Sequence, residues 1–235
     1  MKDAIHSNNA ENKTFSPFSH KYEVALILAF VGGFMESYTY ITRNGVFANA
    51  QTGNIARMGM SLAAGDMLSA LRYLIPIVMF FTGVTLSMRL KKSICRPLHG
   101  WQMVLLMEIL LLVFVSFIPL GSMDILATAL VSLMCALQVE GFRKFGNSNF
   151  STTMCTGNLR SGTELINSYF EEHDRETLRS GLKYFGIDGV FLLGVSAGFW
   201  ATNEFSNKAV WINIAILSVL LIRFSVPQGE HPDSR

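Results

Sequence analysis

Charge is scarce in this sequence and unevenly spread. Its 19 Lys and Arg and 17 Asp and Glu amount to 15% of 235 residues, where a soluble domain carries about 25%. The signs nearly balance, at a net +2, so there is no basic run to hold a nucleic acid. Cysteine is scarce as well. Cys95, Cys135 and Cys155 have no metal-ligand spacing, and no disulfide is expected of them. The five histidines, His6, His20, His99, His173 and His231, all lie outside the apolar segments. HExxH, GxSxG and a phosphate-binding Gly-Lys-Thr/Ser loop are missing too. The expectation is no enzyme, no cofactor, no metal and no nucleic-acid partner.

Apolar length is what the chain has. Six stretches, Val24 to Ile41, Tyr73 to Met88, Trp101 to Leu120, Ile125 to Val139, Tyr184 to Asn203 and Ala209 to Ile222, together hold 103 residues and only 3 charges, Glu36, Glu108 and Asp188. A helix in water keeps a polar face, whereas these stretches are apolar all round, as hydrocarbon surroundings require. The chain reads as an all-α integral membrane protein with about six transmembrane helices and the lipid bilayer as its partner. A span takes roughly 20 residues, with a range of about 17 to 25, so the first, third and fifth stretches qualify directly. The second extends back to Leu71 and the fourth to Ser122. The sixth extends through Phe224 and Val226 with Arg223 snorkelling, although a run of this length also fits a buried or re-entrant helix.

Basic residues set the expected orientation, because cytoplasmic loops retain them. With the N-terminus inside, 15 Lys and Arg fall on the cytoplasmic side and 4 (Arg43, Arg57, Arg72 and Lys208) on the other. Both termini are therefore expected in the cytoplasm, with the protein in a bacterial inner membrane. The short stretch Gly121 to Asp124 makes the third and fourth spans a hairpin. The segments Thr42 to Ser69 and Glu140 to Lys183 have room for more than a turn. Ala48-Asn49-Ala50 has the small-x-small form of a signal-peptidase site, but the apolar run before it is long, contains Glu36 and follows a polar tail.

Glu36, Thr52, Gly53 and Asn54 recur as Glu140, Thr156, Gly157 and Asn158 at one offset of 104. Arg57 and Arg160 follow each Thr-Gly-Asn, and Phe80, Gly83 and Val84 resemble Phe191, Gly194 and Val195. Each half is then a span, a Thr-Gly-Asn segment and two more spans. Three crossings are odd, so the second half enters from the opposite side, as in inverted-topology transporter repeats. The expected divisions are a polar tail at 1–23, repeats at 24–120 and 121–226, and a polar tail at 227–235. Thr, Gly and Asn suit a broken helix restarting near the membrane centre, with N-terminal amides that attract an anion or a carbonyl. They equally suit a cap on a helix lying at the interface.

A buried carboxylate is costly, which makes Glu36, deep in the first span after Gly32 and Gly33, the leading ion or solute ligand. Its structural alternative is a hydrogen bond to Thr39, Tyr38 or another span. The candidate site is Glu36, Thr52, Gly53, Asn54, Gln138, Glu140, Thr156, Gly157 and Asn158, with Arg57, Arg160, Asp188 and Glu108 behind them. Glu140 has Arg143 three residues on as a simple partner. Asp188 and Glu108 read first as structural contacts. Gly194 and Gly198 have the spacing of close helix packing, and Met58, Met60 and Met67 read as apolar filling.

Through Gly33-Phe34-Met35-Glu36, Gly45-Val46-Phe47, Thr52-Gly53-Asn54, Gln138, Thr152-Thr153 and Thr156-Gly157, the chain from about Ala25 to Leu221 resembles the YoaK family of uncharacterised bacterial multi-pass membrane proteins. The resemblance implies an inner-membrane protein and carries no known substrate or catalytic residue. That family commonly has Asp at the place of Glu36, and Gln-Asn where this chain has Gln138-Val139. Two functions follow. One is a secondary transporter or channel-like permease for a small solute or ion; the other is a non-transporting membrane protein, such as an assembly partner, a sensor or a lipid-interacting factor.

Overall fold

The computed structural model describes residues 22–92, 100–143 and 150–225. Residues 1–21 of the first polar tail, the whole of the second, Cys95, Arg96 and Lys144 lie outside the described residues; Tyr22 and Glu23, expected in the tail, open the first helix. The helices are α1 (Tyr22–Thr42), α2 (Gln51–Ala63), α3 (Met67–Lys92), α4 (Gly100–Ser116), α5 (Asp124–Gly141), α6 (Cys155–Glu172), α7 (Arg175–Phe205) and α8 (Val210–Ser225), with a 3-10 turn at Ser206–Ala209 between the last two. All the regular structure of the described residues is helical. Each of the six apolar stretches is matched by a helix, and α2 and α6 occupy the two long connecting segments.

Among the described residues, four segments are long and apolar enough to cross a membrane: Tyr22–Thr42, Met67–Leu90, Asp124–Gly141 and Arg175–Arg223. The last contains both α7 and α8, and α4 is apolar but only 17 residues long. The helix α7 starts nine residues before its apolar stretch. Asp174 caps it there, accepting the amides of Glu176 (3.2 Å) and Thr177 (2.9 Å) and the Thr177 hydroxyl (2.6 Å). These donors hold the exposed Asp174 carboxyl below its usual range, and the capped start carries charged residues that an apolar pattern does not register.

Hydrophobicity is arranged inside out. The helices α1 and α5 are buried on most sides, with Leu28, Phe34, Met35, Met134 and Leu137 fully enclosed. Around them, α3, α4, α7 and α8 expose Leu71, Phe81, Phe114, Leu192, Leu193, Trp200, Val219 and Ile222. A soluble monomer rarely shows so broad an apolar skin; a lipid-facing surface requires one.

Glycine sets the closest helix contacts. A Cβ on Gly33 of α1 would stand 2.2 Å from the Phe191 carbonyl oxygen of α7, and one on Gly194 would stand 2.2 Å from the Phe30 carbonyl oxygen. Ser37 Oγ of α1 donates to the Val195 carbonyl (2.9 Å), and Tyr22 Oη to that of Lys183 (2.9 Å). The partner numbers rise together along both helices, so α1 and α7 run parallel. The same holds for α3 and α5, where Gly83 abuts Ala136 and Leu133, and Ser87 Oγ donates to the Leu137 carbonyl (3.2 Å). Between α4 and α5, by contrast, Val104 meets Gly141, and the two helices form an antiparallel hairpin around residues 117–123.

Leu at Gly33 or Gly194 should force α1 from α7 and destabilise the protein by more than the about 1–3 kcal/mol of ordinary overpacking, because the obstructing atoms are backbone. Leu at Gly189, which has nothing within 4 Å, should be neutral. Thermal unfolding of the purified protein in detergent compares the three.

Candidate functional site where two bent segments meet

After α1 the chain reverses at Asn44 and Gly45, both left-handed at φ 59° and 69°, a conformation that Asn and Gly adopt most readily. It then runs back along α1. Asn49 Nδ2 donates to the Gly32 carbonyl (3.2 Å), ten residues before the end of α1, so the segment has travelled about 15 Å at the helical rise. Gly32 is the midpoint of α1. Ala48 and Asn49 are buried there, while Ala50 is exposed.

The second bent segment, before α6, reaches the same glycine. A Cβ on Gly32 would lie 2.5 Å from Thr153 Cγ2 and 3.6 Å from the Thr152 carbonyl oxygen. Gln138 of α5 donates through Nε2 to both the Leu28 carbonyl (2.9 Å) and Thr152 Oγ1 (3.1 Å). Ser132 Oγ of α5 donates to the Ala48 carbonyl (3.1 Å). Both bends thus meet between the two central helices.

Glu36 anchors the first of them. Its Oε2 accepts the Asn49 amide (2.8 Å) and its Oε1 the Ala50 amide (3.1 Å). These are the free amides just ahead of α2, where a carboxylate is favoured by the exposed N–H groups and the helix dipole. The partners are therefore neither Tyr38 nor Thr39, whose hydroxyl donates to the backbone carbonyls of Met35 and Glu36 (both 3.2 Å).

Within each Thr-Gly-Asn, Asn closes the bend. Asn54 accepts the Phe47 amide at Oδ1 (3.4 Å) and donates from Nδ2 to the Phe47 carbonyl (2.8 Å). Asn158 does the same to Ser151, at 3.0 and 2.7 Å. Each amide pairs with one residue's N–H and C=O together, as a neighbouring strand would. Both Asn are buried, while Thr52, Thr156 and Gly157 are exposed and Gly53 lies half-buried against Phe47. Neither helix start, Ala50 or Met154, has a side-chain cap.

The remaining candidates separate. Asp188 of α7 accepts a second bond from Asn158 Nδ2 (2.7 Å) and so belongs to the second bend. Arg57 donates to the Gly45 carbonyl, with its guanidinium 4.9 Å from the Phe47 ring centre and 5.5 Å from that of Tyr40, bracing the first turn. Arg160 is exposed and pairs with Glu164 (2.9 Å). Glu140 is half-buried in the last turn of α5. Glu108 is fully buried on α4, and both its oxygens are without partners.

Sequence reasoning counted Arg43 only as a loop charge. It is fully buried, and its Nη1 donates to Asp124 (2.9 Å) and the Pro119 carbonyl (3.0 Å). Its Nη2 donates to Asn207 Oδ1 (2.8 Å), Tyr38 Oη (3.1 Å) and the Ile118 carbonyl (3.1 Å). Asn44 Nδ2 also reaches Asp124 (2.7 Å). One guanidinium thus ties the end of α1 to the α4–α5 turn and the α7–α8 turn. A shallow surface crevice beside it is lined by Arg43, Arg72, Asp124 and Thr128 among others. The usable signal was an Arg closing one span and an Asp opening another.

The class is thus an all-helical protein built on apolar helices of membrane-crossing length, with two bent segments packed in its interior. Over residues 24–223 the chain matches the family described as Protein of unknown function (DUF1275), and it belongs to that family. No curated protein and no solved structure matches it.

Arg43→Met or Asp124→Leu alone should cost about 3–5 kcal/mol, since each strands a buried charge. The double variant should recover much of that loss in the same unfolding assay; additive losses would show that the pairing itself matters little.

Proposed function

We propose that this chain is a small-solute secondary transporter of a bacterial inner membrane, with six spans in two inverted three-helix repeats and both termini in the cytoplasm. The carrying observation is the meeting of two bent segments at Gly32, one of them held by the carboxylate of Glu36. Non-helical backbone in the hydrocarbon region is found where protein buries it or where it lines a cavity. In inverted-repeat transporters such breaks form the site near the midplane.

Symmetry supports the repeat. Asn54 and Asn158 make the same pair of bonds at the offset of 104. The first span of each half packs parallel to the second span of the other, α1 on α7 and α5 on α3, as a pseudo-two-fold axis demands. The resemblance to YoaK belongs to the same reading. α2 and α6 then start inside the bilayer from opposite sides.

Solute entry would displace the amides of Asn49 and Ala50 from Glu36, or borrow its carboxylate for a cationic or hydrogen-bonding group. Purified protein in proteoliposomes, screened against a broad panel of labelled small solutes, should move or bind at least one. Glu36→Gln should keep the fold and lower uptake about tenfold or more, the equivalent of one charge-assisted hydrogen bond. Uptake of nothing in the panel would favour a non-transporting sensor or assembly partner. Full activity of the variant would remove Glu36 from the mechanism.

A further inference from the structure

The buried residues of α4 are Trp101, Gln102, Val104, Leu105, Glu108, Leu112 and Val115, and all but Gln102 have the spacing of one helical stripe. Glu108 sits in its middle, at 0% exposure, and neither carboxyl oxygen has a hydrogen-bond partner. Leucine would fill that place at no loss. A carboxylate there, shielded from solvent, would have no donor among the described residues to compensate its charge, so the packed bundle holds the neutral acid.

The surroundings decide which cation it takes. A metal ion of the calcium or magnesium kind needs about six oxygen ligands. Among the described residues no group of three or more His, Cys, Asp or Glu is placed to hold one. A proton needs one oxygen. Cys135 of α5 is fully buried and within electrostatic reach of both Glu108 and Glu36. The other acids of α5 are at its ends, Asp124 in the Arg43 pair and Glu140 in the last turn. On the other packed helices, Arg89 of α3 and Arg223 of α8 are exposed near the helix ends, and Arg72 is in the first turns of α3.

We propose that Glu108 is a proton-binding site that carries the coupling ion: it holds one proton as a carboxylic acid while the bundle is closed, and its O–H bond breaks to give that proton to water when α4 parts from α5. Its role in coupling rests on the transporter reading; the site itself does not.

Infrared spectroscopy of the full chain in lipid vesicles at neutral pH tests this. Wild type should show the carbonyl band of a protonated carboxyl lacking hydrogen bonds. Glu108→Gln should lose that band, Glu36→Gln should keep it, and Glu108→Asp, the variant to use if the Gln protein does not fold, should shift it. In D2O the wild-type band should move as O–H becomes O–D. A spectrum unchanged by Glu108→Gln, or by Glu108→Asp in its place, overturns the proposal. So does a band still unexchanged after overnight incubation, which would mark a sealed structural acid. An exchanging band in a protein that moves no solute would keep the proton site and defeat the transporter reading; solute uptake with an unexchanging band would do the reverse.

Discussion

Burying a stretch of non-helical backbone in the middle of a helical bundle is the constraint on which this structure turns. Every N–H and C=O in such a stretch needs a partner, because no water is there to supply one. In the first bend the Glu36 carboxylate takes the amides of Asn49 and Ala50, Asn54 takes both polar groups of Phe47, and Ser132 and Gln51 donate to Ala48. In the second bend Asn158 takes both polar groups of Ser151, and Ser151 Oγ takes the Met154 amide. Remove these side chains and the segments have no reason to enter the bundle. Polar residues in an otherwise apolar bundle are thus spent mainly on making the bends possible.

Close packing of the helices carries the bends. The contact of Gly33 and Gly194 lets α1 lie against α7 at backbone distance, and Gly83 does the same for α3 on α5. Between lipid-facing helices the hydrophobic effect offers little, so close van der Waals approach takes over, and small residues make it possible. Gly32 serves a second purpose. The space that a Cβ would take there is filled by Thr153, so the midpoint of α1 is open to a segment from the other half of the chain.

How much of this was legible depended on whether the signal was periodic or three-dimensional. The apolar stretches located their helices because hydrocarbon-facing residues must be continuous along the chain. The Thr-Gly-Asn pair was legible as a repeat, yet its active member was not. Asn rather than Thr closes each bend, since its amide alone has a donor and an acceptor side by side to match one residue's N–H and C=O. The charged start of α7 was invisible to a search for apolar length. Arg43, Asp124 and Asn207 are far apart in sequence, and no one-dimensional pattern announces that one guanidinium joins three turns. Counting Arg43 as a loop charge was reasonable for its position and missed its burial.

The two halves agree where they build and differ where they hold charge. The Asn clasps and glycine contacts have counterparts in both. The carboxylate clamp does not: Glu36 holds the amides of Asn49 and Ala50, but at the matching place in the second half the Met154 amide goes to Ser151 Oγ at 3.0 Å. Arg43 latches only the end of the bundle where α1 finishes. At the opposite end, Tyr22, Phe150 and Tyr184 stack edge to face, with ring centres 5.6 and 4.5 Å apart. A cage of five charge-assisted hydrogen bonds is harder to part than a cluster of rings, which give up dispersion contacts gradually and leave no orphaned charge. Mechanical asymmetry follows from that chemistry. Separation of the helices at the Arg43 end strands a guanidinium, a cost that parting these rings does not carry.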